Sequence, residues 1–358
     1  MPRGKTKEKK LVINLGNMHE YMYLSITNFA AYALLLTLGV NAPFEGVPLD
    51  VNAIRSKLGD INSEIKMRLD KSKSGRIGSD KLRECASDFI KGHGDYLIRE
   101  EDFGVVVDLS TNCLMRYEVR EFTRVFGGVD EEWINYGGVE LPLVKLALLG
   151  SAMTYVGKVF SGGRKAPVYY LFLDIDPQLK DLRPKVYGRV HGFLASLGSS
   201  DSEGDSNNGK RRKKKKVSTD DVSQVAKIVV PAALVLTSLG NRDLVKKVLN
   251  SGIVMHLVYD EGDAMFDLTR IADTIWRAGL AGHITLLAGA IWGGDKTLLD
   301  LLNDVSQAVF EVTNTGNLLP IYRYVRSVTS LVSNGMISGD LGIKLIDSLA
   351  PVGGLRWS

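Results

Sequence analysis

Residues 199–221, SSDSEGDSNNGKRRKKKKVSTDD, limit what this chain can fold into more than any other stretch. An acidic, Ser- and Asn-rich lead carrying Asp201, Glu203 and Asp205 runs into seven consecutive cations: Lys210, Arg211, Arg212, Lys213, Lys214, Lys215 and Lys216. Such a segment has almost no apolar surface to bury and repels itself, so it reads as a solvated tether between folded parts. The 358-residue chain is long enough for an ordinary core on each side of it.

The cations decide how the net charge is read. Without those seven, the net charge of +4 becomes −3. The first ten residues, MPRGKTKEKK, hold five cations and one anion, and without them as well it becomes −7. The folded body is therefore mildly acidic, and whole-domain basicity of the kind many duplex-binding proteins show is absent. Any nucleic-acid contact has to be local. The tether is itself one candidate, as a sequence-independent, salt-sensitive attraction for phosphates.

Only two cysteines occur, Cys85 and Cys113, with no CxxC, which points to a reducing cytoplasm. The apolar run after the basic N-terminus is broken by Asn14, Asn17, His19 and Glu20 and does not read as a signal peptide. The apolar stretches at 141–160, 228–239 and 280–292 are too short or too interrupted to span a bilayer, so no membrane role is expected.

Apolar periodicity and glycine punctuation predict an α+β protein: a mixed α/β N-terminal part followed by a mainly helical C-terminal part. The divisions are a disordered basic arm at 1–10, a mixed α/β domain at 11–197, a flexible charged linker at 198–221 and a mainly α-helical domain at 222–358. In the first part, helices are expected at 18–38, 50–72, 79–91, 116–126, 144–160 and 185–197, with strands at 11–15, 105–109 and 168–176. In the second, helices are expected at 222–238, 241–250, 262–278, 295–310, 318–333 and 339–349, with Thr219 or Asp220 capping the first. One short strand is expected there, at 253–259.

No catalytic constellation emerges. Asp174 and Asp176 at the end of LDIDP share a strand face, as two ligands of a hard cation would, but no third acidic ligand stands nearby. Asp260, Glu261, Asp263 and Asp267 read as first-turn helix acids that complement the macrodipole. GGDKT at 293–297 lacks the spacing of a phosphate loop, and no dinucleotide fingerprint follows a strand. The five histidines, His19, His93, His191, His256 and His283, show neither HExxH nor HxH spacing, and no GxSxG occurs. His283 stands among apolar residues, where a satisfied core histidine is the default. No enzyme activity, cofactor or metal is expected.

Two short basic elements carry more. SGGRKAP at 161–167 joins two glycines to Arg164 and Lys165, a turn whose backbone amides and cations suit a phosphate. IYRYVRSV brings Tyr322, Arg323, Tyr324 and Arg326 together on one helix, with Arg323 and Arg326 on a shared face. Interleaved aromatic and guanidinium groups suit stacking on bases and binding phosphates, and equally suit a protein interface.

Three stretches carry a family resemblance: NLGNMHEYMYLSITNFAAYALLLTLG, LALLGSAMTYVGKVFSGGRKAPVYYLFLD and LLPIYRYVRSVTSLVSNG. In these the chain resembles the large subunit of archaeal type I-A CRISPR interference complexes. The resemblance implies a non-catalytic subunit of an RNA-guided antiviral surveillance complex. Its implied partners are the other subunits, guide RNA, target DNA and a recruited helicase-nuclease effector. Arg164, Lys165, Arg323 and Arg326 are the residues of the matching stretches that would contact nucleic acid. The acidic lead and cation run depart from the family, and KRRKKKK also reads as a nuclear localisation signal. Two alternatives follow from the residues: a helical scaffold or adaptor whose basic run is a localisation signal, and a metal-dependent nuclease using Asp174 and Asp176.

Overall fold

A computed structural model describes residues 13–14, 32–33, 48–49, 51–68, 97–108, 138–159, 167–173, 182–197, 221–259, 262–291 and 296–349. The basic arm at 1–10, most of the helix expected at 18–38 and the helices expected at 79–91 and 116–126 lie outside the described residues. So do Cys85, Cys113, Asp174, Asp176, Thr219, Asp220 and the cation run. The chain forms two compact units, residues 1–155 with 176–180, and residues 156–175 with 181–358.

In the first unit a two-residue strand β1 (Ile13–Asn14) pairs antiparallel with β2 (Pro48–Leu49). The expected helix at 50–72 is two helices, α1 (Val51–Ser56) and α2 (Leu58–Arg68), which bury Ile54, Ile61 and Ile65 along one face. Asn62 of α2 binds the backbone of Ile98 reciprocally, its Oδ1 accepting from the amide at 2.8 Å and its Nδ2 donating to the carbonyl at 3.0 Å. One side chain thus satisfies a loop residue as a neighbouring strand would. Strands β3 (Val106–Asp108) and β4 (Gly138–Glu140) pair antiparallel and lead into α3 (Leu141–Thr154).

Helix α3 is buried almost all round, as its nearly unbroken apolar sequence requires. Its one cation, Lys145, is 4% exposed and reaches the carbonyl of Leu97 and the Asp102 carboxylate, both at 2.5 Å. Asp102 also accepts from the Arg99 amide at 2.9 Å, so both buried charges have partners. The expected helix over 144–160 stops at Thr154. From Tyr155 the chain is strand β5 (Tyr155–Lys158), because YVGKV suits an extended edge; Gly157 fits a close approach there, since a Cβ would stand a tight 3.1 Å from Cβ of Leu194.

The second unit contains a four-stranded antiparallel sheet of order β5-β6-β7-β8, with β6 (Val168–Leu173), β7 (Ile253–Tyr259) and β8 (Gly262–Asp267). All six residues of β6 are buried, which is why it reads as a continuous apolar run. Val168 faces Val258 and Leu173 faces Ile253 across the β6–β7 ladder, so strands from either side of the charged 198–221 stretch pair directly. Helix α4 (Leu182–Ser196) is tied to the sheet by Tyr187, whose hydroxyl donates to the Leu171 carbonyl at 2.5 Å, and by His191 Nδ1, 2.9 Å from the Val156 carbonyl.

Beyond it lie α5 (Ala226–Leu239), α6 (Arg242–Ser251), α7 (Thr269–Arg277), α8 (Ala281–Ala290), α9 (Lys296–Thr315), α10 (Leu319–Ser333) and α11 (Gly339–Leu349). Helix α5 is the hub, apolar on nearly every face and packed against α4, α6, α7, α8 and α9. Its start is satisfied by Ser223, whose Oγ accepts from the Ala226 amide at 3.0 Å. From α9, Asn303 holds that turn by accepting from the Ser223 amide and donating to the Asp221 carbonyl, each at 3.0 Å. It ends at Gly240 in the left-handed conformation, φ 64°, the backbone a glycine terminator supplies.

Two expectations change here. Residues 262–278 are not one helix: 262–267 are β8, with Met265 and Asp267 exposed and Ala264 and Phe266 half-buried, an edge-strand alternation. Asp263 therefore sits on a strand, and Asp267 attends a helix start, its Oδ1 accepting from the Thr269 amide at 2.8 Å; Asp260 and Glu261 lie outside the described residues. Conversely 281–290, noted in the sequence only as an apolar stretch, is a full helix, α8. Among the described residues the α+β mix is plain, with helices dominating the C-terminal region. No helix among the described residues is long and apolar enough to cross a membrane.

Candidate nucleic-acid interface

Helix α10, LPIYRYVRSVTSLVS, opens where Asn317 Oδ1 accepts from the Leu319 amide at 3.0 Å, with Pro320 in the first turn. Only Ile321, Tyr324 and Val328 are buried, a stripe at three- and four-residue spacing that seats the helix against α9 and α11. Pro320, Val325, Leu331 and Val332 are half-buried, and Tyr322, Arg323, Arg326, Ser327, Thr329, Ser330 and Ser333 are all exposed. At about 100° per residue, Tyr322 and Arg326 stand two positions either side of Tyr324 and so project about 160° away from it. The helix contains no Asp or Glu, and among the described residues no ion pair reaches Arg323 or Arg326.

This divides the aromatic–arginine cluster read from the sequence. Tyr322, 44% exposed, lies outward with the two arginines, while Tyr324 is 4% exposed and faces the interior. Tyr324 is therefore unavailable to stack on a base. An open tyrosine face, two guanidinium groups and several hydroxyls remain, all groups that bind phosphates or stack on bases. Arg164, Lys165 and the cations at 210–216 lie outside the described residues.

The inward face of α10 carries a polar network that the sequence did not reveal. The Tyr324 hydroxyl lies 2.5 Å from Nε2 of His283 on α8, with the two rings edge-on, 73° between planes. Nδ1 of His283 lies 2.7 Å from Oγ of Ser348 on α11, and that hydroxyl donates to the Leu345 carbonyl at 2.7 Å. Since Ser348 has one proton and spends it on Leu345, the imidazole donates from Nδ1 to Ser348 and accepts at Nε2 from Tyr324. The Tyr324 hydroxyl, both ring nitrogens and the Ser348 hydroxyl are then all partnered with a neutral ring.

Burial pushes the His283 imidazole down to about 4, opposed by a hydrogen bond to the Leu345 backbone. Burial also raises Tyr324 above the ordinary phenol range, and the nearby Asp304 carboxylate adds to that. Asp304 on α9 is itself raised, first by partial burial and then by the charge of Asp300. His283 is thus the satisfied core histidine the sequence suggests, but its partners are 41 and 65 positions away.

Of the other histidines, His191 is exposed and bound to the Val156 carbonyl, and His256 is buried in β7 with Phe172 edge-on at 5.8 Å. Among the described residues no group of three or more His, Cys, Asp or Glu is placed to hold a metal ion. Site and fold define an α+β protein whose C-terminal helices expose an arginine–tyrosine face. No family model, curated protein or solved structure matches the chain.

Proposed function

We propose that this chain is a non-catalytic nucleic-acid-contacting subunit of a larger assembly. The assembly is the RNA-guided type I-A CRISPR surveillance complex, whose large subunit it resembles in sequence. In this reading it works in the cytoplasm beside the other subunits, touches guide RNA and target DNA, and helps recruit a helicase-nuclease effector. The supporting observation is the outward face of α10, where Tyr322, Arg323 and Arg326 stand open on a helix without a carboxylate. On a mildly acidic body such a face is a local phosphate site rather than part of a general field.

The test is a mobility shift of target DNA by guide-loaded partner subunits with and without this chain, repeated for Arg323→Ser and Arg326→Ser over a salt series. Each variant should weaken binding and flatten the salt dependence by about one phosphate contact. Identical target binding with and without the chain would overturn the proposal.

A second reading, a helical adaptor that touches no nucleic acid, is favoured by the apolar side chains exposed around the α10–α11 hairpin. Leu319, Met336 and Ile343 are 46%, 69% and 62% exposed. Salt separates the two readings, since an apolar protein interface does not weaken steeply as salt rises.

A further inference from the structure

We infer that His283 is a positioning residue for the outward face of α10: through Tyr324 it sets the rotation of that helix, and so where Tyr322 and Arg326 point. The inference rests on the proposed role of that face.

Helix α10 is thinly seated, with three of its fifteen residues buried, whereas nine residues of α9 are buried. Apolar contact is non-directional, so a narrow stripe of Ile321 and Val328 tolerates rolling and sliding of the helix. A hydrogen bond loses strength steeply off its axis and does not. Among the described residues, the directed contact of the buried stripe is at its centre, the Tyr324 hydroxyl on His283 Nε2 at 2.5 Å.

A directed contact positions a helix only if its acceptor is fixed. The His283 ring is held from its other nitrogen by Ser348, and Ser348 by the Leu345 carbonyl, both on α11. The ring itself is buried in α8. The relay therefore registers α10 against α8 and α11 together. In a helix that rolls as a rigid body, a roll at the tyrosine turns Tyr322 and Arg326 through the same angle.

The experiment uses the full chain and a labelled single-stranded oligothymidylate, with affinity measured over a salt series well below the melting temperature of each variant. Tyr324→Phe keeps the ring and removes the bond. It should weaken binding roughly threefold to tenfold and lower the salt slope, with a smaller further loss in an Arg326→Ser background, as coupled sites behave in a double-mutant cycle. Ser348→Ala, which frees the ring but keeps the His283–Tyr324 pair, should act in the same direction and more weakly. It serves as the test should Tyr324→Phe fold poorly.

A lower melting temperature with unchanged affinity and salt slope would show that the relay only stabilises the fold, and the inference would fall alone. Unchanged binding in the Arg323→Ser and Arg326→Ser variants would instead remove the proposed role of the face, and the inference with it.

Discussion

Nε2 of His283 and the hydroxyl of Tyr324 meet at 2.5 Å, 41 residues apart in sequence, and both side chains are buried. That pair lies on the buried side of a helix whose opposite side is exposed. Tyr324 anchors α10, and the residues two positions either side of it are thereby turned outward. Burial keeps His283 neutral, which a buried imidazole accepting from a phenol requires.

Folding stability should depend on pH through His283. Its folded pKa is about 4, below the ordinary value of 6.5, so the unfolded chain takes up a proton that the folded chain refuses. The stabilisation is full above pH 6.5, falls as pH drops towards about 4, and changes no further below that. The loss from this residue should reach about 3 kcal/mol. Hydrogen exchange of α8 and α10 amides across that range should show it, and His283→Leu should remove this component. An equal slope in the variant would assign the effect elsewhere.

Lys145 and Asp102 form a buried ion pair whose side chains are 4% and 12% exposed. Lys145→Met leaves the carboxylate buried without its cation, and urea unfolding should record a loss of about 3–5 kcal/mol. Adding Asp102→Asn should recover part of that loss, because the amide oxygen still accepts from the Arg99 amide and no charge is stranded.

Two helical glycines should respond oppositely to alanine. A Cβ on Gly342 would meet the Ile337 carbonyl oxygen at 2.8 Å and the Val332 side chain at 3.3 Å, so Gly342→Ala should destabilise the α10–α11 hairpin by about 1–3 kcal/mol. Gly289 in α8 has nothing within 4 Å of such an atom, and Gly289→Ala should stabilise by about 0.4–1 kcal/mol. Thermal melts of both variants provide the comparison.

Replacing Lys213, Lys214, Lys215 and Lys216 with serine should weaken nucleic-acid affinity modestly and reduce its salt dependence while leaving any motif preference intact. A contiguous cation run attracts phosphates without the geometry to read base edges. Competition between matched and mismatched targets measures this. Lost discrimination would place the reading head in the run itself.

Local chemistry made much of the fold legible. Apolar spacing and glycine stops delimit α11 as expected over 339–349 and α10 within a residue of 318–333, and the β-branched run 253–259 is β7. Where the sequence misleads, the signal is short and ambiguous. GDAMFD adjoins a genuine amphipathic helix and is absorbed into it, although hairpin pairing with β7 makes it a strand. AGHITLLAGA is apolar all round, so no periodicity marks it as α8.

The sequence by itself determined which segments have the spacing for a helix or a strand. Helical geometry alone also dictates that Tyr322 and Tyr324 point far apart. Which of the two turns inward is a tertiary decision, made by the neighbours α9 and α11 and by an acceptor on α8 that no local pattern connects to α10. The same holds for β6, whose partner β7 lies beyond the charged stretch. Periodicity is a property of neighbouring residues. Burial, hydrogen-bond partners and the neutral state of His283 belong to groups that only folding brings together.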